Sequence, residues 1–247
     1  MVQIVPAILS TKEEDFQRDI SKYNFSQSLV AGWVHIDFMD GIFVQNKSIS
    51  PRQSSKYPTN LFKEAHLMVV KPLEWIDDLI EAGFKRIIFH IESENNPQEC
   101  IDYVKNRGVE VGLAININTP LEKLVPYISK IDLVLVMSIE PGFQKQPFIQ
   151  ESLGRIKELK NELLRSRTVE YPAESSSVNH SSPQQADGVF WFKNKNWEVR
   201  LSVDGGVNDK NAKDLVEAGV DYLVIGSFLL EGDVEENLEN LWTTISA

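Results

Sequence analysis

The feature that most constrains this chain is a unit that recurs along it: a short apolar strand, an amphipathic helix, then a glycine. "KPLEWIDDLIEAG" (71–83) places apolar side chains at 73, 76, 79 and 80 and stops at Gly83. "PQECIDYVKNRG" (97–108) and "KNAKDLVEAG" (210–219) stop in the same way at Gly108 and Gly219. Glycine just past the last helical turn is a common terminator, because it enters the left-handed region freely. The predicted strands are 3–9, 33–39, 64–70, 86–92, 110–115, 133–139, 199–204 and 222–226. Most are rich in Ile, Val and Leu, as expected where both faces of a parallel sheet are covered. Eight strands alternating with helices in 247 residues predict one (β/α)8 TIM barrel over 1–247. An open doubly wound sheet is the competing architecture, but no G-x-G-x-x-G follows the first strand.

Residues 166–197 break the rhythm between the sixth helix and the seventh strand. Their first part is rich in Ser, Pro, Gln and Asn and reads as a loop. The second, "VFWFKNKNWEV", is compatible with a β-hairpin. Helix-to-strand loops lie on the face of a barrel opposite its active site, so this insertion is expected to be non-catalytic.

The formal net charge of −11 argues against a nucleic-acid partner. No run reaches the roughly 18 apolar residues of a membrane span, and "MVQIVPAILS" lacks a signal-peptide layout. A cytoplasmic location is expected. The lone cysteine, Cys100, excludes an internal disulfide and reads as a half-buried structural thiol.

The chemistry lies in "VHIDFMDGIFV" (34–44), where His35, Asp37 and Met39 occupy every second position and so share one face of a strand. His66 and Met68 repeat the spacing on the third strand, Met137 comes from the sixth, and Asp204 ends the seventh. The carboxyl ends of barrel strands converge on one site. Any one of these groups alone has an ordinary structural explanation. Together, His35, Asp37, His66 and Asp204 predict an N/O site for one divalent metal, Zn, Fe, Mn or Co. His90 reads as a supporting or structural residue. Glycine turns follow the last two strands, "VDGGVN" with Asn208 as a helix N-cap and "VIGSFLL", and barrels frequently bind phosphate there.

With these motifs in place, the chain resembles the ribulose-phosphate 3-epimerase family. The resemblance rests on "PAILS" (6–10), "HIDFMDGIFVQN" (35–46), "HLMV" (66–69), "GLAININTP" (112–120), "VMSIEPGFQKQPF" (136–148), "SVDGGVN" (202–208) and "GVDYLVIGS" (219–227). It implies a (β/α)8 barrel, with His35, Asp37, His66 and Asp204 holding one divalent metal and Asp37 and Asp204 serving as the acid–base pair. Met39, Met68 and Met137 match its sulfur residues around the intermediate. Gly205, Gly206, Gly226 and Ser227 match its phosphate-binding segments, and Gly142 begins a loop over the substrate that includes Phe143, Gln144 and Lys145. His66 would also contact substrate. The implied reaction interconverts D-ribulose 5-phosphate and D-xylulose 5-phosphate through an enediolate, in a homo-oligomer.

Three departures touch the substrate layer. Ala7 stands where the family usually has Ser, "GFQKQ" replaces "GFGGQ", and "GIFVQN" replaces "GHFVPN". They leave open an epimerase of another ketose phosphate, such as a hexulose 6-phosphate, or a weakly catalytic sugar-phosphate-binding scaffold.

Overall fold

The structure, a computed structural model, describes residues 2–29, 32–143, 145–168 and 199–247. Strands β1 (Gln3–Ile8), β2 (Trp33–Met39), β3 (Phe62–Met68), β4 (Arg86–His90), β5 (Glu110–Ile115), β6 (Leu133–Met137), β7 (Arg200–Asp204) and β8 (Tyr222–Ile225) close a barrel in chain order. Every neighbouring pair is parallel, including β8 against β1. Helices α1 (Glu13–Phe25), α2 (Pro51–Ser54), α3 (Leu73–Glu81), α4 (Pro97–Lys105), α5 (Glu151–Thr168), α6 (Ala212–Glu217), α7 (Ser227–Leu230) and α8 (Val234–Ser246) surround it. The TIM barrel expected from the alternation is therefore the fold.

Period-two alternation divides each strand between two cores. Ile4 and Ile8 of β1, Ile36 and Phe38 of β2, and Leu67 of β3 face outward into the layer beneath the helices. Phe38 meets Phe84 edge-on at 5.6 Å, and α3 buries Ile76 and Leu79 in the same layer. Fully burying such a side chain contributes about 1.5–3 kcal/mol. The intervening residues point into the barrel, where Val5, Ala7, Ile88, Ala114, Leu133, Leu135, Met137 and Val224 form a second core.

Gly83, Gly108 and Gly219 all take positive φ at the predicted helix stops. The fifth connection differs from the expected helix: it is two 3-10 turns, Leu121–Leu124 and Ile128–Lys130. Pro120 and Pro126 flank the first of them, and proline inside an α-helix removes a hydrogen bond and clashes with the preceding turn. Helix α5 runs to Thr168, so the first residues of the expected 166–197 insertion are helical, and its hairpin lies outside the described residues. Cys100 is fully buried on α4, not half-buried as expected.

Candidate active site

Strands β2 and β3 bring the first three groups together by register. Asp37 pairs with His66 and Met39 with Met68, so their side chains lie side by side inside the barrel. Asp204, last residue of β7, approaches from across the barrel. His35, Asp37, His66 and Asp204 converge, each offering one donor atom, and these atoms all lie within 4.8 Å of one another. Asp37 Oδ1 lies 2.8 Å from His66 Nδ1 and 3.3 Å from His35 Nε2. Asp204 Oδ2 lies 3.7 Å from His66 Nδ1 and 3.9 Å from His35 Nε2. One detail corrects the expectation of a site at the strand ends: His35 is third of the seven residues of β2 and fully buried, so the cluster is sunk below the rim.

The bonds behind the cluster test whether a cation fits. Glu92 Oε2 accepts from His90 Nδ1–H at 3.1 Å. Burial works against the Glu92 charge, but bonds from His90, Thr119 and the Asn116 N–H keep its carboxyl below the usual range. Burial pulls His90 down to about 4, so its imidazole is neutral at neutral pH. Its bare Nε2 accepts from His66 Nε2–H at 2.9 Å. With that proton on Nε2, His66 presents Nδ1 to the Asp37 carboxylate at 2.8 Å, a pair of acceptors that a cation can bridge. His35 behaves similarly: Nδ1–H donates to Glu64 Oε1 at 2.7 Å, while Nε2 is buried without a hydrogen-bond partner. The donor set thus fits one divalent cation.

Without that cation the acids diverge. Burial raises Asp37, but the adjoining imidazoles of His35 and His66 outweigh it and hold its carboxyl well below the usual range. Burial and the negative charge of Asp37 push Asp204 up to about 6. Burial also disfavours charge on His35, yet Asp37 and Glu64 hold its pKa well above the ordinary value.

A cavity opens above the cluster. Asp37, Met68, Met137 and Asp204 line its floor, and Gly205, Gly206, Gly226 and Ser227 line its far side. Gly142, Phe143 and Lys145 border it; Gln144 lies outside the described residues. Met39 does not line it, contrary to expectation, and packs behind Met68 against Val44. Ala7 also lines it. The glycine turn after β7 meets a packing demand besides any ligand: a Cβ on Gly205 would lie 2.3 Å from Ile139 Cγ1, and one on Gly206 2.6 Å from the backbone nitrogen of Phe148. Asn208 does not cap α6 as expected. The helix begins at Ala212, and the Asn208 side chain accepts from Lys210 N–H two residues on. Asn46 Nδ2 donates to the carbonyl of Gly142 at 2.7 Å, joining the loops after β2 and β6 over the cavity.

Sequence reasoning missed Glu64, Arg86 and the role of Glu92. Glu64 carried one signal, an acid two residues before His66 on the same face of a buried strand. Among the described residues, no helix is long and apolar enough to cross a membrane.

A closed parallel barrel with convergent imidazoles and carboxylates beneath its C-terminal mouth is an enzyme architecture, since that mouth is where such barrels place their chemistry. A family model, ribulose-phosphate 3 epimerase, matches residues 3–173 and 189–230. A ribulose-phosphate 3-epimerase of Chlamydia trachomatis serovar D is 33% identical over 205 residues, covering 82% of this chain and 76% of that one. A ribulose-phosphate 3-epimerase of Treponema pallidum is 29% identical over 237 residues, covering 95% of this chain and 94% of its own. The crystal structure of 3-hexulose-6-phosphate synthase from Salmonella typhimurium superposes with a TM-score of 0.62 at 15% identity, covering 99% of both chains, which shows the fold alone. The chain belongs to the ribulose-phosphate 3-epimerase family, and with it to the isomerases.

Proposed function

We propose that this chain inverts the third carbon of a ketose phosphate, interconverting D-ribulose 5-phosphate and D-xylulose 5-phosphate in a metal-assisted reaction. The observation that carries the reading is the convergence of His35, Asp37, His66 and Asp204 in one cluster, from which Asp37 and Asp204 also line the cavity. Inverting a carbon beside a ketone needs one base to remove its proton and an acid on the other face to return one. Asp37 on β2 and Asp204 on β7 reach the cavity from different strands, as that division of labour requires. One carboxylate takes the C3 proton, leaving an enediolate, and the other delivers a proton to the opposite face. A divalent cation held by the four side chains supplies positive charge against the negative charge developing on the sugar oxygens. Met68 and Met137 exclude water beside the reacting carbon. Gly205, Gly206, Gly226 and Ser227, with Lys145, take the phosphate and so fix the sugar's register over the acids. In this reading the chain acts in the cytoplasm, in pentose phosphate metabolism.

Incubation with D-ribulose 5-phosphate in deuterium oxide should place solvent deuterium at C3 and yield D-xylulose 5-phosphate. Exchange only with a hexulose 6-phosphate would change the substrate. No exchange with any ketose phosphate by the zinc-, iron-, manganese- or cobalt-loaded protein would overturn the proposal.

A further inference from the structure

A line of charged side chains runs through the barrel away from the cavity. His35 pairs in register with Glu64, Glu64 with Arg86, and Arg86 with Glu110, across β2 to β5. Arg86 and Glu110 open their strands, so the line descends from the His/Asp cluster to the N-terminal mouth. Glu64 divides its oxygens. Oε1 accepts from His35 Nδ1 at 2.7 Å, and Oε2 accepts from Arg86 Nη1 at 2.6 Å. Arg86 also donates from Nε to Glu110 at 2.8 Å, and its guanidinium lies 3.9 Å over the Trp33 ring and 5.1 Å from that of Tyr222. Glu64 is 1% and Arg86 3% exposed.

Stability does not account for this pair. A buried ion pair is often matched or bettered by apolar residues of the same volume, and the rest of the barrel interior offers such packing. What the pair fixes is orientation. An imidazole that presents Nε2 must carry its proton on Nδ1, and an acceptor behind Nδ1 selects that tautomer. Arg86 can only donate, so whatever faces it must be an oxygen.

We propose that Glu64 is a positioning residue that keeps the Nε2 lone pair of His35 aimed at the cation site, and that Arg86, at the opposite mouth, dictates how Glu64 is oriented. The inference rests on the metal-assisted reading above. It also makes a specific demand on an amide at position 64. In Glu64→Gln, Arg86 claims the amide oxygen, the NH2 turns toward His35, and the imidazole is driven to the tautomer whose Nε2 carries a proton. Removing the donor as well, in Glu64→Gln with Arg86→Met, frees the amide to turn its oxygen back to His35.

Zinc affinity, measured by competition with a fluorescent chelator, distinguishes these states. Glu64→Gln should bind zinc 10–100-fold more weakly than the unaltered chain, and the double variant should recover most of that loss. Equal affinity in all three, or a further loss in the double variant, would overturn the proposal. If Glu64→Gln does not fold, nitrogen-15 NMR of the imidazoles in the unaltered zinc-loaded chain decides. His35 should show a protonated, slowly exchanging Nδ1 with zinc on Nε2, and zinc on Nδ1 would refute the assignment. An unaltered chain that binds no zinc, iron, manganese or cobalt would instead remove the metal reading itself.

Discussion

The two halves of the barrel interior differ sharply. Beside Ile88, inward positions on β2 to β4 carry His35, Asp37, Glu64, His66, Arg86 and His90, all buried. Those on β5, β6 and β8 carry Gly112, Ala114, Leu133, Leu135 and Val224. Buried polar groups are costly unless bonded, and the polar half bonds nearly all of its own through neighbouring strands. Its principal exception, His35 Nε2, belongs to the His/Asp cluster. The apolar half packs tightly: a Cβ on Gly112 would lie 3.0 Å from Ile88 and 3.1 Å from Leu133. One half therefore arranges charge and the other holds it still.

The sharpest way to break the contrast is at the His/Asp cluster, which Asp204 of β7 completes. Asp204→Asn should lower turnover by about 10²–10⁴-fold, the range for losing a general acid or base, while circular dichroism and the melting transition show a folded barrel. On the apolar side the reverse is expected. Leu135→Ala, at a fully buried position, should cost about 2–5 kcal/mol in urea unfolding and leave zinc affinity within a few-fold.

Acidity sharpens the same contrast. In the metal-free chain Asp204 holds a proton below about 6, and the carboxylates of Asp37 and Glu64 shift His35 toward holding one as well. Both protons must leave when a cation binds. Apparent zinc affinity should therefore rise with pH from 5 to 8, more steeply below about 6 than above it. Titration at several pH values checks this, and an affinity independent of pH would contradict it. The smallest effect belongs to the surface. Lys145 and Glu231 pair at 2.7 Å, but both side chains are more than 60% exposed. Glu231→Gln should change unfolding free energy by no more than about 1 kcal/mol.

Much of the barrel could be read from periodicity, because Ile- and Val-rich runs separated by helices with glycine stops admit few packings. The four convergent groups were legible for a related reason: alternate positions on a strand share a face whatever the neighbouring strand does. The bonds behind them were not. His35 to Glu64 spans 29 residues and Glu64 to Arg86 spans 22, and each depends on lateral register between strands, which no local pattern encodes. The depth of His35 and the delayed start of α6 are set in the same way. The 3-10 turns after β5 had a local signal in Pro120 and Pro126, which the strand–helix rhythm overrode.

The chain has one thiol, and the fold shuts it away: Cys100 is fully buried, and burial with the nearby Glu99 pushes it up to about 12. In the native protein it should ignore maleimides. A cysteine introduced on the rim loop, at Phe143 for instance, would then be the sole site taking a fluorophore or spin label. The surroundings of that loop with and without substrate could be compared without first deleting the natural sulfhydryl.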